Sequence, residues 1–492
     1  MSDHQLMPFG AYLSTLLSKY NLSAATVSRL LGHKSRTTLR RILTDQANSE
    51  SMGKFLSEFL SAQILPLSAA EEQQLRQALE ASRIGLANYL ARMEMGHLLH
   101  RSSSLTSPRT IYLQDPQSDK RIPLQQFLDR LSCAQRVRML IINSIPAPFF
   151  EDLEHFISGS PGCSIEIRHL LFLNDDLSRT VRSIGAALPV IGSPCYHAEV
   201  ISPPRDQSAL PILSSSIIVC QTFAADGTEN EYQLGFSSSL LGHLLTFSTH
   251  CGVYKFWENM LTPIHPHMYS IKTALPSTQH FEDYLALTQA QCALEENCAL
   301  YVLNPVCCLK FIPPELARAF LQPDTWPYPS EPPADEALRE QFLRIHEQRF
   351  KNIYSKKRIT HVLAPLQHLR AFARNGYLAD PLFRSRPFTV AERRMLLTYF
   401  RDQNRDNPYF NIYFTKNDSA SLRLNLTCSE SSGIIFHSGT PSQVDTLINL
   451  EAFTTLFIQY FREILLPQHA LSASASIAVL NSLIEGLPRD NA

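Results

Sequence analysis

The sequence predicts a multidomain chain in which an all-α head of five helices precedes a large α+β region that is partly α/β. Three observations predict it. A length of 492 residues exceeds one ordinary core, and a prior of about 150 residues per domain gives two to four domains. From Phe9 to Leu79, apolar residues recur at helical spacing with capping signatures between the runs. Beyond Pro108, short apolar runs alternate with helical ones, as in a mixed region of strands and helices.

Hydrophobic residues make up 44% of the chain and charged residues 18%, a globular composition rather than a disordered or fibrous one. No stretch approaches the ~20 uninterrupted apolar residues of a membrane span. Met1-Ser2-Asp3-His4-Gln5 lacks the basic patch and apolar core of a secretory signal. A cytoplasmic protein without a membrane partner is therefore expected. The ten cysteines are scattered rather than patterned as a disulfide framework. A net charge of −1 says little, because nucleic-acid binding depends on how charge is distributed. Here the distribution is uneven: Lys19, Arg29, Lys34, Arg36, Arg40 and Arg41 follow one another with no Asp or Glu between them.

The first helix is marked by Phe9, Tyr12, Leu13, Leu16, Leu17 and Tyr20, one buried face, and Asn21 ends it. Ser23 suits an N-cap, with Leu22 and Val27 placed as a hydrophobic staple. A second helix follows from Ala24 to Leu31. Gly32 supplies a left-handed turn, and Ser35 can cap a third helix from Arg36 to Leu43 or Thr44. The fourth carries Met52, Phe55, Leu56, Phe59 and Leu60. Ser68 with Glu71 forms a capping-box signature for the fifth, which carries Leu75, Ala78 and Leu79.

The third helix carries the functional expectation. With about 3.6 residues per turn, Leu39, Ile42 and Leu43 project to one side, and Arg36, Thr37, Arg40, Arg41 and Thr44 to the other. One face suits a core and the other a polyanion. Arginine can bridge guanine O6 and N7, threonine can reach base edges or phosphate, and a helix N-terminus offers free N–H groups to phosphate. Two short helices joined by a tight glycine turn are a common way to seat a helix in the major groove.

The run Leu22-Ser23-Ala24-Ala25-Thr26-Val27-Ser28-Arg29-Leu30-Leu31-Gly32-His33-Lys34-Ser35-Arg36-Thr37-Thr38-Leu39-Arg40-Arg41-Ile42 resembles the lambda-repressor-like, or xenobiotic-response-element (XRE), family of helix-turn-helix domains. Within it, Leu31 to Leu39 looks like the variant with one extra turn residue. The resemblance implies that Lys34 and Ser35 hold the DNA backbone, while Arg36, Thr37, Thr38, Arg40 and Arg41 lie in or beside the major groove. Ser23, as cap of the second helix, completes the candidate DNA-binding set. Three positions depart from the family. Ala24 stands where many members have a phosphate-contacting Gln, Ser28 replaces a common Ala, and Leu43 replaces a frequent acidic residue.

Leu86, Tyr89, Leu90, Met93 and Leu98 suggest a helical connector, either a lever, a dimer seam or a helix packed on its own domain. The stretch from Arg101 to Pro108 reads as a linker. Boundaries follow: a head over 1–85, connector and linker over 86–108, and two further parts over 109–325 and 335–492. In the first of these, Val137–Ile142 as strand, Phe149–Ile157 as helix and Ile165–Leu173 as strand make one βαβ unit. Strands are expected at Tyr196–Ile201, Ile212–Phe223 and Glu231–Phe236, a mainly helical stretch at Leu240–Met260, and a helix at Phe281–Leu294. An apolar run, Ala299–Leu303, follows. Pro323, Pro327, Pro329, Pro332 and Pro333 suggest a boundary or exposed loop. Helices near Glu336–Lys351 and Val390–Arg401 come next. Strands near Tyr409–Thr415, Leu422–Thr427 and Gly433–His437 precede a final helix over Leu450–Leu465. No internal repeat is visible.

Chemistry leaves no motif. Neither G-x-G-x-x-G nor G-x-x-x-x-G-K-[ST] occurs, His346-Glu347 lacks the second His of H-E-x-x-H, and G-x-S-x-G is absent. The paired H-x-K of phospholipase-D-like phosphodiesterases is missing, although the βαβ unit near Val137 is compatible with such a fold without its activity. Cys292, Cys298, Cys307 and Cys308 lack metal-site spacing and read as structural thiols. His265-Pro266-His267 and Cys195-Tyr196-His197 read as turn and structural residues. No catalytic residue, metal or cofactor is assigned.

The resulting expectation is a DNA-binding transcriptional regulator that takes double-stranded DNA as a homodimer, with a C-terminal region for a small-molecule or peptide effector or for oligomerisation. The alternative is an enzyme or peptide-signal receptor whose helical head is a protein-interaction module.

Overall fold

The computed structural model describes residues 7–32, 36–99, 111–114, 121–143, 145–172, 177–201, 216–239, 242–249, 252–304, 309–354, 358–378, 380–383, 385–416, 425–437 and 444–488. The chain forms two compact units, one built on residues up to Glu94 and the other on the chain from Met95 onward.

The first unit is all helical: α1 (Phe9–Lys19), α2 (Ala24–Leu30), α3 (Arg36–Leu43), α4 (Ser49–Ser61), α5 (Ala69–Ile84) and the start of α6 (Leu86–Leu99). Local chemistry sets the breaks. Asn21 (φ 55°) and Gly32 (φ 67°) take the left-handed conformation after α1 and α2. The Ser23 hydroxyl accepts from the Thr26 amide at 3.1 Å, and the Asn48 side chain accepts from the Ser51 amide at 2.8 Å. Both halves of the Ser68–Glu71 capping box form. Phe9, Leu13, Leu16, Val27, Leu39, Ile42, Phe55, Phe59 and Leu75 share one core. Gly85 alone, at φ 85°, separates α5 from α6.

The second unit is α+β and holds two sheets. It opens with β1 (Tyr112–Gln114), β2 (Arg121–Pro123) and α7 (Leu124–Leu131). A first run continues through β3 (Arg136–Ile142), α8 (Ala147–Gly159), β4 (Ser164–Phe172), α9 (Leu177–Ile191), β5 (Tyr196–Ile201), β6 (Ile217–Phe223), β7 (Glu229–Ser239), β8 (Gly242–Thr249) and α10 (Val253–Leu261). Two short strands, β9 (Met268–Ser270) and β10 (Lys272–Ala274), lead to α11 (Phe281–Glu295). The second run comprises β11 (Leu300–Leu303), α12 (Pro314–Phe320), α13 (Glu336–Tyr354), β12 (Thr360–Ala364), α14 (Leu366–Asn375), α15 (Val390–Asp406) and β13 (Phe410–Phe414). It closes with β14 (Leu426–Ser429), β15 (Gly433–Phe436), β16 (Thr446–Ile448), α16 (Glu451–Tyr460) and α17 (Ala473–Glu485).

The two runs share one topology, an internal repeat that the sequence does not reveal. The first sheet has the order β2-β1-β8-β7-β6-β3-β4-β5-β9, and the second β10-β16-β15-β14-β11-β12-β13. In each, three parallel strands (β3, β4, β5 or β11, β12, β13) are joined through helices. Three antiparallel strands then fold back beside the first of them (β6, β7, β8 or β14, β15, β16). A helix precedes each run (α7 or α11) and another follows it (α10 or α16). Ile271 links the sheets: its amide donates to the Ala198 carbonyl at 3.2 Å, and its carbonyl accepts from the Asn449 amide at 2.8 Å. The second sheet draws strands from both sides of the proline-rich stretch, where Trp326 and Tyr328 are buried in the core beside α11 and α13 rather than forming an exposed loop throughout.

Two further expectations need correction. Residues 242–249 are strand, not helix, because they pair antiparallel with all but the first residues of β7. The helix expected to end near Leu465 runs as α-helix only to Tyr460. It continues as a π-helix over Phe461–His469, which contains Pro467, and α17 then starts behind the Ser472 cap. The helix α9 carries no clear sequence signal, because its periodicity is interrupted by an internal Pro189.

Candidate nucleic-acid interface

The candidate interface is the outer face of α3, whose two sides differ as the sequence spacing predicts. Leu39 and Ile42 are 3% and 1% exposed, while Thr37, Thr38, Arg40 and Arg41 lie on the exposed side. Lys34 and Ser35 fall outside the described residues, and so does the side chain of Arg36, the first residue of α3. Ser23 is exposed and serves α2 as its cap; its hydroxyl also lies 2.8 Å from that of Thr26. The Arg41 guanidinium reaches back to the Gln46 carbonyl at 3.4 Å, and the Thr44 hydroxyl donates to the Arg40 carbonyl at 3.0 Å. Thr44 thus spends its donor on the helix end. Arg40 has no acidic partner among the described residues, and its charge faces solvent.

Lys19 departs from the pattern of an uninterrupted basic segment. Its ammonium lies 2.6 Å from Glu71 Oε1. The Tyr20 hydroxyl donates to the same carboxylate at 3.0 Å, as does Ser68 at 2.7 Å. The bond from Lys19, then those from Ser68, pull the Glu71 carboxyl down to about 2. Lys19 is therefore internally neutralised, and the cationic surface narrows toward α3.

What aims α3 is a carboxylate that the sequence reading missed. Asp45 stands just past the helix at φ 54°. Its Oδ1 accepts from the Gly10 amide at 2.9 Å and from the Ser82 hydroxyl at 3.3 Å, while Ser82 Oγ accepts from the Phe9 amide at 2.8 Å. One side chain thereby ties the end of α3 to the start of α1 and to α5. Its only local signal is an Asp after a helix end, where Asp and Asn tolerate left-handed backbone.

In the second unit, the densest polar cluster is structural. Glu295, at the end of α11, receives two bonds from Arg349 of α13, at 2.6 and 2.8 Å. Lys310 lies 3.7 Å from the same carboxylate and donates to Thr427 Oγ1 at 2.7 Å. Thr427 Oγ1 is 2.9 Å from His437 Nε2, and His437 Nδ1 is 2.7 Å from Asp445. Hydroxyl, imidazole and carboxylate occur in the order of a nucleophile relay, but Thr427 is 1% exposed. The chain of bonds serves to fasten α11 and α13 onto the sheet. Among the described residues, no three His, Cys, Asp or Glu are grouped to hold a metal ion. Cys298 is buried and Cys292 half-buried, while Cys307 and Cys308 lie outside the described residues. His265 is exposed within a 3-10 helix over Thr262–His267 rather than in a turn, and Tyr196 is buried between an exposed His197 and a half-buried Cys195. No described helix is long and apolar enough to cross a membrane.

No family model and no curated protein matches the chain. Among solved structures it is similar to the phosphatidylserine synthase of Haemophilus influenzae Rd KW20, at 9% identity over 73% of this chain and 90% of that one, with a TM-score of 0.25. A likeness of that size bears on neither the interface nor an activity.

Proposed function

We propose that the chain is a sequence-specific DNA-binding transcriptional regulator of the cytoplasm, with an XRE-type helix-turn-helix head that reads duplex DNA as a homodimer. The observation that carries this reading is α3 itself. A short helix stands behind a left-handed Gly32, its Leu39 and Ile42 buried and its Thr37, Thr38, Arg40 and Arg41 turned outward. A helix of that kind matches the major groove in size, and its arginines match guanine edges and phosphate in chemistry. The second unit acts in this reading as the sensor or oligomerisation region, where an effector changes DNA affinity only by preferring one arrangement of the dimer.

The test is binding of the full chain to selected duplex DNA across a range of salt. Affinity should fall steeply as salt rises, because each neutralised phosphate releases counterion. Arg40→Ala combined with Arg41→Ala should weaken binding and flatten that dependence. Binding that ignores both salt and the double substitution would sink the proposal.

A further inference from the structure

We infer that the exposed side of α6 is the seam along which two copies of this chain pair, an inference that rests on the proposed DNA-binding dimer and names its interface. Leu86, Leu90 and Met93 are 46%, 37% and 38% exposed. Their spacing of four and three residues puts them in one stripe along the helix. Scattered apolar residues on a surface are ordinary, but a contiguous stripe marks a contact. The other side of the same helix is already filled, with Ala91, Met95 and Leu98 buried. Residues of α6 are thus apolar on both sides, and a helix of that composition is stable when both sides are covered.

A second copy fits the stripe for three reasons. The flanking seam positions are Ala87, Tyr89, Glu94 and Gly96, so a single charged residue borders the contact and two copies meet with little like-charge opposition. The neighbouring polar side chains are turned to their own chain. Asn88 donates to the Ile84 carbonyl at 3.0 Å, and Arg92 points to Glu80 at 3.8 Å. Only Gly85 separates α6 from α5, so pairing along α6 would set the two heads at a fixed separation, as a two-fold operator requires. Three turns of helix bury well under the roughly 1,200 Å² of a stable interface. The seam should therefore give association that depends on concentration and is tightened when DNA holds both heads.

Sedimentation velocity of the full chain, without DNA, tests this. The native chain should shift from monomer to dimer as concentration rises, and Leu90→Glu with Met93→Glu should stay monomeric with an unchanged far-UV spectrum. A native chain that stays monomeric, or a folded double variant that still dimerises, overturns the seam. Should the double variant misfold, Leu90→Cys provides the second readout. Under mild oxidation, a bond joining the two substituted positions is expected by mass spectrometry, and its absence in a dimeric sample overturns the seam. None of these measurements involves DNA, so failure here is distinct from failure of the Arg40 and Arg41 substitutions.

Discussion

A Cβ built on Gly10 would stand 2.3 Å from the Ile42 carbonyl oxygen, so α1 meets the last turn of α3 backbone to backbone. The Gly10 amide then reaches Asp45, which also receives Ser82. The direction of α3 is thus fixed from behind, by groups that never face the outer surface.

Gly10→Ala should destabilise the first unit by about 1–3 kcal/mol, because the obstructing atoms belong to the backbone and cannot rotate away. Asp45→Ala should cost a similar ~1–3 kcal/mol by leaving the Gly10 donor unpaired. Asp45→Asn keeps an acceptor and tolerates the left-handed backbone, so its loss should be smaller. Chemical denaturation of the three variants gives the order; Asn equal to Ala would show that neither an amide acceptor nor tolerance of the left-handed backbone replaces the native carboxylate at this position.

Lys19 and Arg40 carry the same charge in the same segment, yet their effects on DNA binding should differ. Lys19 is paired with Glu71, whereas Arg40 is not paired among the described residues. Arg40→Ala should lower the slope of log affinity against log salt by about 1. Lys19→Ala should change it far less. Equal slopes for both variants would place the DNA contact elsewhere on the head.

The elements of the first unit were legible because their signals are local: a cap three residues from its amide, a left-handed residue after a helix. The pairing of Asp45 with Gly10 and that of Glu71 with Lys19 were not, since the partners lie 35 and 52 residues apart. The repeated topology was hidden for a related reason. Val137-Arg138-Met139-Leu140 in β3 and Leu300-Tyr301-Val302-Leu303 in β11 share apolar character but almost no residues. What makes them equivalent is their partners, β4 with β6 and β12 with β14, far along the chain. The strand at 242–249 was lost likewise, because its pairing with β7 outweighs the helical look of its leucines.

Removing Glu295 should be among the most destabilising single changes in the second unit. Its carboxylate is 1% exposed and stands between Arg349 and Lys310, themselves buried. Glu295→Ala leaves two cations without their shared acid, a loss on the order of 3–5 kcal/mol. Glu295→Gln keeps the shape and one acceptor, and should fall between native and Ala. Thermal unfolding of both variants would decide this; an unchanged midpoint for Glu295→Ala would mean that the cluster contributes nothing to the fold.

Mild acid should destabilise the second unit before most carboxylates titrate. Burial pulls His169, His346 and His361 each down to about 4. His169 shows why the neutral form is held. Its Nε2 lies 2.9 Å from the Asn143 carbonyl, which can only accept, so Nε2 carries the proton and Nδ1 accepts from the Tyr196 hydroxyl at 2.7 Å. A second proton would reverse that last bond, turning the Tyr196 hydrogen away from its acceptor and placing a charge inside a closed core. The unfolded chain, by contrast, takes up the proton near pH 6.5. Between about pH 6.5 and 4 the unfolded state therefore binds more protons, and stability falls as pH falls. For His169 the full loss is on the order of 3 kcal/mol, complete only below its folded value. Unfolding midpoints at steps from pH 7 to 4.5 should drop for the native chain, and less steeply for His169→Phe, which removes the site of protonation and also the two bonds. Parallel profiles for the two proteins would show that this imidazole does not govern the acid response.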